Sequence, residues 1–169
     1  IRCTMPLRTP YRIAYQDVEQ AVNVFLRIET TSGITGWGCA APDADITCET
    51  ASSVTRSVQT VAAPLLEGQD PLRIGLLMTR LQAVIPRQMS ALAGLDMALH
   101  DLMGKAAGLP LWKLLGGYRR SIRTSVTIGI LPEEETVRAA RARVDEGFRC
   151  LKLKGGLEPE EDASRVRAV

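Results

Sequence analysis

The sequence predicts an α+β unit followed by the start of a parallel strand–helix segment. Three observations carry that prediction. Val22–Glu29 alternates in its second half, and Ile34–Ala40 returns after the turn Thr31-Ser32-Gly33, which is the pattern of an antiparallel pair. Residues 41–116 place apolar residues at steps of three and four, the period of helices buried on one side. From residue 121 the pattern becomes strand, helix, strand, helix, which makes the second strand parallel to the first.

Residues 1–40 read as a small antiparallel sheet. Thr9–Asp17 has a proline near its start, two tyrosines and mixed polarity, so it reads as a surface loop that carries no chemistry on its own. Asp43 and Asp45 precede Thr47, and one of these groups is expected to cap a helix running to about Leu66. Gly68-Gln69-Asp70-Pro71 breaks the chain. A second helix is expected over Leu72–Val84, with Leu72, Leu76, Leu77 and Leu81 inward and Pro86 as its stop. The third helix, Arg87–Ala107, carries Leu92, Leu95, Leu99 and Leu102 on one side, and Ala91, Gly94 and Ala98 supply thin positions for close packing against another helix. Asp96, His100 and Asp101 interrupt it. A metal site or triad competes there with groups that satisfy the helix surface or neighbouring backbone, and the i,i+4 spacing favours the second. Gly108-Leu109-Pro110 ends the helix, and a short turn follows over Leu111–Gly117.

Ile122–Ile130 is expected as a strand. Pro132-Glu133-Glu134-Glu135 then opens a helix with acids where its dipole is positive, and Gly147 ends it. The next strand, Arg149–Lys154, is expected to be short and buried, and it runs into Gly155-Gly156. Lys152 and Lys154 share one face with Cys150, while Leu151 and Leu153 take the other. Adjacent like charges and partial burial both push an ammonium toward its neutral form, which suits a lysine to act as a general base; on the strand alone, an exposed edge strand with two solvated lysines and its other face packed is the stronger reading. The two glycines leave room for a ligand at the strand's end. A last helix opens at Glu158-Pro159-Glu160.

The 169 residues are 46% hydrophobic and 24% charged, with a net charge of +2 from 21 basic and 19 acidic side chains. That balance gives no electrostatic case for nucleic acid. Cys3, Cys39, Cys48 and Cys150 form no C-x-x-C pair and there is one histidine, so a zinc site is not expected. The thiols read as free and mostly buried, in a reducing compartment such as the cytoplasm. No apolar run follows Ile1–Pro6 and none is long enough to span a bilayer, so neither a signal peptide nor a membrane partner is expected.

Ala91-Leu92-Ala93-Gly94-Leu95-Asp96-Met97-Ala98-Leu99-His100-Asp101-Leu102-Met103-Gly104-Lys105, then Pro110-Leu111, then Leu114-Leu115-Gly116-Gly117, resembles the mandelate racemase/muconate lactonising subgroup of the enolase superfamily. Gly36-Trp37-Gly38 and Lys152-Leu153-Lys154 stand in the order that resemblance requires. Cys39 departs from it, since most members carry Glu there. The resemblance implies a capping domain over residues 1–117 and, over 118–169, the first two strand–helix units of a (β/α) barrel. It implies removal of a proton next to a carboxylate, with the enediolate held on Mg²⁺ by acidic residues beyond Val169, so no metal ligand is expected in this chain. Lys154 becomes the base on one face of the α-carbon, and Lys152 supports it and contacts the carboxylate.

Within the subgroup the dipeptide epimerases look most similar. Pro42 followed by Ile46-Thr47-Cys48-Glu49-Thr50 resembles one of their segments, with Cys48 in place of Gly. Thr127 then stands at a substrate-contacting position. Tyr11 and Gln16 become substrate contacts from the cap loop. Gln16 occupies the place where epimerases of acidic dipeptides carry arginine, which argues against an acidic second residue. The resemblance also implies a homo-oligomer and a small carboxylate partner, a dipeptide. A muconate-type cycloisomerase or an o-succinylbenzoate synthase would use the same lysine pair. If these 169 residues were the whole product, a catalytically silent scaffold would be expected.

Overall fold

The computed structural model describes residues 1–169 throughout. By contacts the chain parts into two units, Ile1–Met5 with Ala21–Tyr118, and Pro6–Gln20 with Arg119–Val169.

A sheet of order β1-β2-β3 has β1 at Arg2–Ile13, β2 at Gln16–Glu29 and β3 at Thr35–Ala40; its hairpin end within Pro6–Gln20 belongs to the second unit and the rest to the first. β2 and β3 are antiparallel, and Leu26 faces Gly38 across the pair. The segment expected as a loop at Thr9–Asp17 is instead the end of a long hairpin, whose turn is only Ala14-Tyr15. Its tyrosines, threonine and isoleucine are strand formers, and Pro10 is tolerated because β1 is an edge strand.

Helix α1, Ala51–Ser57, starts one turn later than expected. Its cap is Thr50, which exchanges hydrogen bonds with Ser53 in a capping box. Thr47 is already used: its hydroxyl donates to Asp43 O at 2.8 Å and accepts from Asp43 N–H at 3.0 Å. The rod widens to π-helical winding over Val58–Ala62 before α2, Ala63–Leu66. Pro64, which lacks an N–H, accounts for that widening. α3 covers Ile74–Val84, burying Leu77 and Leu81 while Leu76 is half-buried. Leu72, expected inward, precedes the first turn and is exposed.

α4, Met89–Ala106, is the centre of the first unit, and it buries Leu92, Leu95, Leu99 and Leu102 as its period requires. Its small residues Gly94 and Ala98, expected against another helix, face a strand instead. A Cβ on Gly38 would overlap Gly94 O and come within 2.9 Å of the Gly94 carbonyl carbon. A Cβ on Gly36 would overlap Ala98 O and lie 2.5 Å from Leu102 Cγ. Gly36-Trp37-Gly38 is therefore what lets α4 lie directly on β3. α5 is the short turn Leu111–Leu114.

In the second unit, β4 (Val126–Ile128) and β5 (Leu151–Leu153) are parallel, and α6 (Glu133–Asp145) and α7 (Pro159–Ala168) follow them in turn. Both strands are shorter than expected. β4 packs against α6 with Ile128 buried, and Thr127 on its other face is exposed.

Candidate functional site

The site is built on the open face of β4 and β5. The parallel register pairs Thr127 with Lys152 and Ile128 with Leu153, so Thr127 and Lys152 point to the same side. Lys154 is two residues on, and its N–H donates to Ile128 O at 2.9 Å, continuing the ladder. One face thus carries Thr127, Lys152 and Lys154. Lys152 and Thr127 are exposed, Lys154 is half-buried, and Leu151 and Leu153 are half-buried on the other side, so the strand is less buried than expected.

The hairpin end lies against the ends of these strands. Ile130 N–H donates to Arg12 O at 2.9 Å. A Cβ on Gly129 would stand 3.0 Å from Tyr11 Cβ and 3.1 Å from Arg12 N and O. Tyr11 and Arg12 therefore pack beside Gly129, one residue past β4. Gln16 is exposed on the returning strand, and the contacts at Gly129 and Gly156 come from Tyr11, Arg12 and Ala14.

The room expected for a ligand beside Gly155-Gly156 is filled by protein. A Cβ on Gly155 would meet Asp162 Oδ2 at 2.6 Å, and one on Gly156, which has φ +113°, would meet Ala14 Cβ at 3.1 Å. Gly156 N–H donates to Asp162 Oδ2 at 2.6 Å. Asp162 is also paired with Arg165, whose side chain is only 7% exposed and whose Nη1 donates to Leu131 O at 3.0 Å. Sequence reasoning missed this pair, because Asp162 and Arg165 look like ordinary members of a charged helix. Their i,i+3 spacing was the available signal.

No three His, Cys, Asp or Glu side chains converge on a point that could hold a metal ion. The acids that are not simply solvated have other tasks. Asp101 accepts from Trp37 N–H at 2.8 Å and from Lys105 Nζ at 2.6 Å. Burial raises its pKa, but the bonds from Lys105 and Trp37 outweigh that and leave it below the ordinary value. His100 Nδ1 lies 2.9 Å from Asp96 O and 3.3 Å from Asp96 Oδ1, so the Asp-His-Asp group serves its own helix and the neighbouring strand. Glu49 is buried, and its carboxylate accepts from Ser90 N–H at 2.8 Å and Ala91 N–H at 3.3 Å, closing the start of α4. These residues do not fit Mg²⁺. The four thiols are free and, contrary to expectation, none is buried: Cys3 and Cys39 are half-buried, Cys48 and Cys150 exposed.

Residues 1–116 match the N-terminal domain of the mandelate racemase/muconate lactonizing enzyme family, and the chain belongs to that family. Within it, the chain is similar to dipeptide epimerases. It is 41% identical, over 96% of its length, to an L-Lys-D/L-Arg epimerase of Desulforapulum autotrophicum, and covers 46% of that protein. A crystal structure of the dipeptide epimerase of Methylococcus capsulatus with Mg and L-Arg-D-Lys superposes with a TM-score of 0.92 at 39% identity, over 99% of this chain and 47% of that one. The substrate-liganded L-Ala-D/L-Glu epimerase of Bacillus subtilis gives a TM-score of 0.95 at 32% identity, again over 99% of this chain and 47% of that one. The chain thus spans about half the length of the curated relatives it matches. No helix is long and apolar enough to cross a membrane.

Proposed function

We propose that residues 1–169 form the capping unit and first barrel units of a dipeptide epimerase. The observation that carries this reading is the common face of Thr127, Lys152 and Lys154, with the hairpin end beside it. Lys154 takes the α-proton: the C–H bond breaks, the proton goes to Nζ, and the electron pair moves into the adjacent carboxylate. Lys152 holds that carboxylate, and Thr127 contacts the substrate backbone. Return of a proton to the other face inverts the centre, and this needs a second base outside these residues. The Mg²⁺ named with the dipeptide in the Methylococcus capsulatus structure would, when bound, supply electrostatic stabilisation of the carboxylate, held by residues outside 1–169. That enzyme is assigned to the cytoplasm and to a homo-oligomer.

The second residue of the substrate is basic or neutral rather than acidic. Gln16 offers no positive charge, and the relatives at about 40% identity are named for lysine- and arginine-containing dipeptides. The test is a panel of dipeptides incubated with the full-length protein and followed by polarimetry or chiral chromatography. Epimerisation of L-Lys-L-Arg in preference to L-Ala-L-Glu supports the reading. Turnover of a muconate or of an o-succinylbenzoate precursor, with no dipeptide epimerised, replaces it with the cycloisomerase or synthase.

A further inference from the structure

We propose that Asp162 and Arg165 are positioning residues that hold Lys154 at its working angle. This rests on the reading of Lys154 as the base. Lys154 lies one residue past the end of β5 and carries the last ladder bond on that side, so the chain beyond it needs another anchor. Its backbone is pinned on both sides: its own N–H bonds to Ile128 O, and two residues on, Gly156 N–H bonds to Asp162 Oδ2. The intervening Gly155 is the one residue type that admits the Asp162 carboxylate so close.

Asp162 sits in the first turn of α7 but reaches back to the loop that enters it. Its charge partner Arg165 is buried and also bonds Leu131 O, in the loop that leaves β4. One ion pair therefore ties together the loops that leave both strands of the site. A buried guanidinium is costly unless fully paired, and here its bonds go to loop backbone and to the carboxylate that holds the lysine loop. The lever is long. Lysine Nζ stands ~6 Å from its Cα, so a backbone rotation of ~10° moves it by ~1 Å, and a misplacement of that size costs on the order of 100-fold in rate.

The experiment compares Asp162→Asn and Arg165→Lys with wild type in the full-length protein. α-Deuterium incorporation from each epimer of a dipeptide is measured separately, so that proton transfer on the Lys154 face is read apart from the other. Both variants are expected to lose about 10- to 100-fold on the Lys154 face, with less than a threefold change on the other face and KM within threefold of wild type. Gly156 amide exchange should accelerate in Asp162→Asn. Should that variant fail to fold, Arg165→Lys, which keeps the charge, carries the measurement. Equal losses on both faces, or no loss, overturn the proposal. Wild-type protein inert toward every dipeptide would remove the epimerase reading instead. Positioning is then decided by the Lys154 side-chain NMR signals: a shift in Asp162→Asn confined to Lys154 and its neighbours supports it, and unchanged signals overturn it.

Discussion

Gly38→Ala should destabilise the capping unit by about 3 kcal/mol, at the upper end of what one extra core methyl costs. The added Cβ would overlap Gly94 O and lie 2.9 Å from the Gly94 carbonyl carbon and 3.0 Å from Ala98 N. Carbon contacts are comfortable at about 3.5–4.0 Å, so β3 and α4 must separate by roughly 1 Å. All three obstructing atoms are backbone in the middle of α4, and no rotamer change relieves them. The separation also loosens Leu26, Leu92 and Leu95, which share the buried cluster under that contact. Gly75→Ala is the control. It lies in the first turn of α3 with open space around its Cβ, and there the helix preference of alanine should stabilise by about 0.5 kcal/mol. Urea unfolding, read as a change in midpoint at constant m, measures both. A Gly38→Ala protein within 1 kcal/mol of wild type would refute the packing argument.

Cys48 has φ 55°, a left-handed conformation that costs a residue with a Cβ about 1–2 kcal/mol. Glycine forfeits part of that gain through its freer unfolded chain, so Cys48→Gly should raise stability by about 0.5–1 kcal/mol in the same assay, and a loss would contradict the strain. Glu49→Ala leaves Ser90 and Ala91 N–H buried without an acceptor and should cost about 3 kcal/mol; a change below 1 kcal/mol would show that water takes over the capping. Asp101, with its pKa lowered in the folded state, adds stability that is fully present above the unfolded value of about 3.9 and is lost as pH falls through the lower folded value. Acid titration of Asp101→Asn should therefore show a shallower loss of stability below pH ~4 than wild type, and an identical curve would contradict the assignment.

The helices and the order of strands were legible because their periods are strong. Leu92, Leu95, Leu99 and Leu102 mark one side of α4 whatever packs on it. What packs on it was not legible: that Gly94 and Ala98 meet Gly36 and Gly38 of a strand follows from tertiary proximity, which spacing does not encode. The hairpin end was misread because Pro10 and the mixed polarity of Tyr11–Asp17 suit an edge strand and a loop equally well. In the candidate site, the common face of Lys152 and Lys154 followed from strand alternation, Thr127 came only from the family resemblance, and the parallel register puts it opposite Lys152. The glycines after Lys154 read as room for a ligand, and that reading failed because the side chains that occupy the space come from elsewhere in the sequence. Asp162 lies seven residues from Gly155 and Ala14 more than 140 from Gly156, and only folding brings them there.

The central claim is that Lys154 moves a proton on one face of a dipeptide α-carbon. The measurement that tests it most directly is α-deuterium incorporation in D₂O by Lys154→Ala in the full-length protein, starting from each epimer separately and read by NMR or mass spectrometry. The account predicts that epimerisation is abolished, while exchange survives from the epimer whose proton faces away from residue 154. Lys152→Ala should weaken both directions together, because it serves binding rather than one face. Undiminished epimerisation by Lys154→Ala would contradict the account.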